Sequence, residues 1–130
     1  MTPDELWRHA QQLPESTEAE RRTKISRSYY ALFSYACEFN DALSSEGNLL
    51  RKGTGCHNQL TQKLTNPTVT DSTLQYQSRI LGTQQQIAHA LRIKADYDLA
   101  VPITIAEVKK CMAWVTKGMA VPSPAAQKAA

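Results

Sequence analysis

Between Glu18 and Ser44 apolar residues return at alternating steps of four and three, at Ile25, Tyr29, Leu32, Ala36, Phe39 and Leu43. Those steps keep one stripe of a 3.6-residue helix apolar, so the segment predicts a long helix packed lengthwise in a bundle. Thr17 followed by Glu20 marks its start as a capping box, in which each side chain satisfies an amide of the first turn. Tyr29 falls on the core seam. Tyr30, Phe33 and Cys37 form a flanking row that would face a second neighbour, and a buried Tyr30 hydroxyl would need a polar partner.

A second seam, Leu74, Leu81, Ala88, Leu91 and Ala95, predicts another long helix from a cap at Thr70 or Asp71 to about Leu99. Gly82 lies inside it, where glycine costs up to about 1 kcal/mol relative to alanine. Its presence there predicts that a neighbouring helix approaches closely. After Pro102 the box Thr104 with Glu107 opens a last helix with Ile105, Val108, Met112, Val115 and Met119 as its seam. Thr2 and Pro3 start a lead-in helix that runs to Leu13 and stops at Pro14, and a short helix from about His57 to Leu64 ends before Asn66-Pro67. Between the long helices, Ser45 to Gly55 holds three of the five glycines and follows no period, which predicts an exposed loop of functional length. No segment alternates as a strand would. The chain reads as all-α, an antiparallel up-down bundle of about four to five helices, with one domain over 1–120 and a flexible C-terminal tail over 121–130.

Composition adds limits rather than direction. A chain of 130 residues with 42% apolar and 21% charged side chains suits one globular core. A net charge of +3 permits an anionic partner without requiring one. Arg21, Arg22, Lys24 and Arg27 fall within two turns beside Glu18 and Glu20, and read as a solvated helix face. The three cysteines, Cys37, Cys56 and Cys111, contain no CxxC pair, so neither a disulfide framework nor a zinc site is expected. The opening MTPDELWRHAQ is charged where a signal peptide is apolar, and no run approaches the ~20 apolar residues that span a bilayer. The expectation is a soluble cytoplasmic protein without membrane contact, metal or cofactor. Walker, dinucleotide-binding and HExxH motifs do not occur, which leaves P-loop hydrolysis and zinc proteolysis unsupported.

Candidate chemistry sits on the second long helix. His89, Arg92 and Asp96, spaced three and four apart, put an imidazole, a guanidinium and a carboxylate on one stripe. The imidazole can move a proton near neutral pH, the guanidinium can hold a phosphate by two parallel hydrogen bonds, and the carboxylate can orient either. The plain alternative is a surface ion pair. Against it, the run LRIKADYDL crowds Arg92, Lys94, Asp96, Tyr97 and Asp98 beside the apolar seam. His57 offers another imidazole, in RKGTGCH with Arg51, although a helix-start histidine is a common structural feature. His9, next to Arg8, reads as surface, and Trp114 and Met119 read as core.

Two stretches together resemble the HEPN domains: RRTKISRSYYALFSYA is similar to their long helix with its arginine-rich start and paired tyrosines, and LRIKADYDL to the ending of a later helix. The loop and histidine of GTGCH lie between them, and the similarity spans roughly Glu18 to Met119. The resemblance implies a small helical bundle that forms a homodimer. It also implies a role in prokaryotic toxin–antitoxin or antiviral defence systems, binding RNA or a nucleotide and acting as a metal-independent endoribonuclease through an arginine and a histidine in an R-x4-6-H motif. Other HEPN proteins are non-catalytic dimerisation or partner-binding modules, and some pair with a nucleotidyltransferase-type antitoxin. Where the toxins of that pairing carry the catalytic histidine after the arginine, this chain has Tyr97. A phenol, with its usual pKa of about 10, is a poor base at neutral pH. Catalysis would therefore use Arg92 with His57 or His89, oriented by Asp96 and Tyr97, while Arg27, Tyr30, Arg51 and Lys94 would bind.

Overall fold

In the computed structural model, which describes residues 1–124, five α-helices carry the chain: α1 (Pro3–Gln12), α2 (Glu18–Ala42), α3 (Cys56–Thr65), α4 (Ser72–Tyr97) and α5 (Ile105–Met119). Among the described residues no strand occurs. The expected caps are in place. Thr2 accepts from the Glu5 amide, both capping boxes close, and Asp71 rather than Thr70 caps α4.

The predicted seams of α2 and α4 meet in the core, where Ile25, Tyr29, Leu32, Ala36 and Phe39 pack with Leu81, Ala88, Leu91 and Ala95. Leu43 and Leu74, at the ends of those seams, are only half-buried. The seam of α5 is rotated from the predicted one. Its buried face is Val108, Cys111, Val115 and Gly118, whereas Ile105 is 51% exposed and Met112, Trp114 and Met119 are half-buried. The reason is close approach: a Cβ on Gly118 would lie 2.5 Å from Leu32 Cδ1, so small side chains mark the contact line and the bulkier methionines flank it. Gly82 plays the part expected of it, since a Cβ there would lie 2.8 Å from Leu64 Cβ and Thr65 Cγ2 on α3.

Contacts fix the helix directions. Arg22 and Ser26 of α2 meet Ala95 and Asp96 near the end of α4 while Tyr29, further along α2, meets Gln85 near its middle, so these two helices run oppositely. His57 and Leu64 of α3 meet His89 and Ser78 of α4 in the same opposed sense. Hence α2 and α3 run the same way, and residues 43–55 carry the chain back between them rather than simply reversing it. That segment is mostly exposed, as expected. Gln62 holds its far end, accepting the Leu50 and Arg51 amides and donating to Arg51 O and Thr54 Oγ1. α3, and with it His57, thereby starts at a fixed place.

Of the cationic run of α2 only Arg27 is exposed; Arg21, Arg22 and Lys24 are not a solvated face. The Arg22 side chain is only 12% exposed, bonds Glu18, and donates to the backbone oxygens of Lys94, Ala95, Asp98, Leu99 and Val101. Arg21 donates to Ile103 O, Glu15 O and Ser16 O, and Lys24 is buried against Glu15 and Gln11 O. The end of α4 leaves carbonyls without amide partners, and a guanidinium with five donors satisfies them. Those acceptors lie more than seventy residues away in sequence, where no local charge pattern shows them.

Of the tail expected from 121, Val121 is buried and accepts from the Tyr35 hydroxyl, and Pro124 is fully buried. Its remainder, 125–130, lies outside the described residues. No helix among the described residues is long and apolar enough to cross a membrane.

Candidate functional site

Three helices converge on a pocket of about 120 Å³ lined by Ser26, Arg27, Tyr29, Tyr30, Phe33, His57 and Arg92. Drug-sized ligands fill roughly 300–1,000 Å³, so this pocket takes a small group, such as one phosphate of a longer molecule. The first turn of α3 presents His57 to it, α2 supplies the tyrosines and Phe33, and α4 supplies Arg92.

The rings form a stack. His57 lies between Phe33, with centroids 4.2 Å apart, and His89, 4.8 Å away and within 5° of parallel. Tyr29 sits beneath, 1% exposed, with its ring 5.6 Å from His57, 5.4 Å from His89 and 5.8 Å from the Arg92 guanidinium carbon. Its hydroxyl is 2.5 Å from His57 Nδ1 and accepts from Gln85 Nε2 at 2.8 Å. Arg92 Nε rests 2.8 Å from Asp96 Oδ2, which also accepts from Ser26 Oγ at 3.2 Å. Among the described residues no acceptor takes Arg92 Nη1 or Nη2, so the outer fork of the guanidinium is available to a ligand.

Electrostatics follow from burial and that one cation. Burial lowers the His57 pKa, and the Arg92 charge lowers it further. His89 is lowered by burial, by His57 and by Arg92. Both imidazoles are therefore neutral at pH 7 and able to accept a proton or share one. Burial raises Tyr29 strongly, against the opposing hydrogen bond from Gln85, and keeps it a phenol. Among the described residues no group of three or more His, Cys, Asp or Glu is placed to hold a metal ion.

Of the residues expected from sequence, Arg92, His57, His89 and Asp96 come together, and Arg27 and Tyr30 line the pocket. The Arg27 guanidinium lies over the Tyr30 ring at 5.3 Å. Tyr97 stands at the rim, 70% exposed, with its ring 5.7 Å from the Arg92 guanidinium carbon. Two residues are elsewhere. Lys94 pairs with Glu107 at 2.7 Å, because two residues along a helix turn it roughly 200° from Arg92. Arg51 lines a separate groove with Thr54, Asn58 and Gln62.

Tyr29 is both core, as its seam position implies, and site, as sequence did not show. Gln85 and Ser26 were missed. Gln85 carries a readable signal, since it sits four residues after Leu81 where a seam residue would be apolar, and a buried amide there needs a partner. Ser26 carries none, because serine is common on any helix face. Compared with models of known protein families, with curated proteins and with solved structures, the chain matches none.

Proposed function

We propose that this chain is a HEPN-like protein that holds one backbone phosphate of RNA in the α2–α3–α4 pocket and cleaves the chain there without a metal. The observation that carries this reading is the convergence of a half-free arginine fork with the neutral His57 on a single small pocket, with a second neutral histidine, His89, stacked against His57. Arg92 binds the non-bridging oxygens and stabilises the charge that builds on phosphorus. A histidine of the stacked pair takes the proton as the 2′-hydroxyl attacks the adjacent phosphate. Asp96 holds Arg92 by its inner nitrogen and keeps the outer fork turned outward. Products carry a 2′,3′-cyclic phosphate and a 5′-hydroxyl. The resemblance in the two long helices extends this reading to a bundle of the HEPN type, a homodimer, and a place in toxin–antitoxin or antiviral defence.

A second reading, a non-catalytic dimerisation or partner-binding module, is favoured by apolar side chains left exposed on α4 and just beyond it: Ile93 at 43%, Tyr97 at 70% and Leu99 at 72%. Labelled RNA incubated in EDTA with the protein and with Arg92→Ala separates the two. Cleavage that leaves cyclic-phosphate ends and disappears in Arg92→Ala is the expected result. RNA binding without cleavage at high protein concentration selects the module, and absence of both refutes the phosphate site.

A further inference from the structure

The two stacked imidazoles, His57 lining the pocket and His89 against it, differ in what lies behind them. Gln85 is fully buried, its Nε2 donates to Tyr29 Oη at 2.8 Å, and its own Oε1 is buried without a partner. The amide is thus turned with its N–H toward the phenol although its oxygen stays unsatisfied. With that lone pair of Oη occupied, and no other acceptor at the phenol among the described residues, the arrangement favours the Tyr29 O–H as donor to His57 Nδ1, 2.5 Å away, over the reverse direction that the other tautomer would give. A ring nitrogen that accepts a hydrogen bond carries no proton, so neutral His57 carries its proton on the other one, Nε2. His57 also stacks with Phe33 of α2 and His89 of α4 and feels the Arg92 charge, and among the described residues none of the three is hydrogen-bonded to it. His89 makes ring contacts with Tyr29 and His57 and no side-chain hydrogen bond among the described residues, so either of its nitrogens is free to accept.

We propose that Gln85 and Tyr29 hold His57 as its Nε2–H tautomer, so that His57 gives the pocket a hydrogen-bond donor for a phosphate oxygen beside Arg92 and leaves His89 as the proton acceptor of the pair. The division of roles rests on the ribonuclease reading; the tautomer does not. In the transesterification, the 2′-hydroxyl proton passes to His89 while the oxygen's electron pair forms the bond to phosphorus. The P–O5′ bond breaks, its electrons stay on O5′, and that oxygen takes a proton from water, leaving hydroxide to recover the proton from the His89 imidazolium. His57 Nε2–H and the Arg92 fork bond the non-bridging oxygens throughout and transfer no proton.

NMR of the intact 15N-labelled protein reads the tautomer from couplings between the ring protons and the two ring nitrogens. Above neutral pH, His57 is expected to be protonated on Nε2 alone. Tyr29→Phe should shift it toward an exchanging mixture and raise its titration, and Gln85→Leu should do so to a smaller extent. Wild-type His57 protonated on Nδ1, or a Tyr29→Phe protein indistinguishable from wild type, overturns the proposal. Kinetics assign the roles, because the glutamine amide of His57→Gln places an N–H near the Nε2 position without a titrating group. His57→Gln should cost about tenfold, in KM, while His89→Gln should cost at least about 100-fold, in kcat. The opposite split overturns the roles. If the wild type cleaves nothing, the ribonuclease reading fails while the tautomer is still decided by the spectra. In that case binding of a non-cleavable 2′-deoxy oligonucleotide, weakened about tenfold by His57→Gln and clearly more by His57→Ala, tests the donor, and equal losses in the two variants overturn it.

Discussion

Helices α2 and α4 share two cationic clusters, and what separates them is how many donors are already occupied. Near the start of α2, Arg21, Arg22 and Lys24 spend their donors on Glu15, Glu18 and a row of backbone oxygens at the end of α4 and beyond it. One to two turns further, Arg92 gives one nitrogen to Asp96 and keeps its fork, beside two neutral imidazoles and an open pocket. The first cluster is complete and holds helices together. The second has bonding capacity left over and is therefore able to take a ligand. Charge alone, read along the chain, does not tell the two apart; saturation does.

Removing an arginine from each cluster is the strongest way to break the comparison. Arg22→Ala should lower unfolding free energy by on the order of 2 kcal/mol, because it removes at once the donors of the part-buried Lys94 and Ala95 carbonyls and of three exposed ones. Urea unfolding that shows a loss below about 1 kcal/mol would mean the clamp is not structural. Arg92→Ala should change stability by no more than about 1 kcal/mol, since both partners of its ion pair are partly exposed, at 25% and 24%. Its effect should appear in RNA affinity, weakened about 10- to 100-fold as expected for a lost charged hydrogen-bonding group. An Arg92→Ala protein that unfolds early and binds normally would invert the assignment.

A smaller effect sharpens the boundary of the site. Arg27 is exposed and, among the described residues, held by the Tyr30 ring, so Arg27→Ala should weaken RNA binding about threefold and flatten the salt dependence by about one phosphate contact, with no change in stability. Fluorescence anisotropy over a salt series checks both. An unchanged slope would place the RNA backbone away from this edge.

The sequence carried the helices and much of the site, and the reasons it stopped short are local. Seam spacing and capping boxes are properties of neighbouring residues, so α2 and α4 and their starts were legible, as was the close packing implied by Gly82. The α5 seam was misjudged because periodicity favoured the large Met112 and Met119 over the small Cys111 and Gly118, while close contact between helices selects small side chains. His89, Arg92 and Asp96 were readable as one stripe of a single helix. That His57 joins them depends on a loop held by Gln62, and that Arg51 does not depends on the same loop. Arg22 looked solvated because its backbone acceptors arrive from the far end of another helix and the residues after it, and Arg21 because it is met by the chain just before α2 and by Ile103.

Acid titration offers the finest test, because the two clusters should fail in different pH windows. His57 and His89 have folded pKa values below the ordinary 6.5, through burial and the Arg92 charge. Glu15 is held below 4.5 by Lys109 and Lys24, and Glu18 by Arg22. In each case the folded value is the lower one, so between the two values the unfolded chain binds more protons and stability rises with pH. The contribution is complete above the unfolded pKa and is lost as pH falls through the folded one. Unfolding measured over a pH series should therefore weaken in two stages, one beginning near 6.5 from the histidines and one beginning near 4.5 from the clamp carboxylates. A protein carrying His57→Gln and His89→Gln together should lose the upper stage and keep the lower, whereas Glu15→Gln with Glu18→Gln should reduce the lower and leave the upper. A ligand phosphate in the pocket should also diminish the upper stage, since an anion beside the imidazoles favours their protonation and raises the folded pKa toward the unfolded value. If the upper stage survives the double histidine change, the proton uptake lies elsewhere, and the contrast between a saturated cluster and an open one loses its electrostatic half.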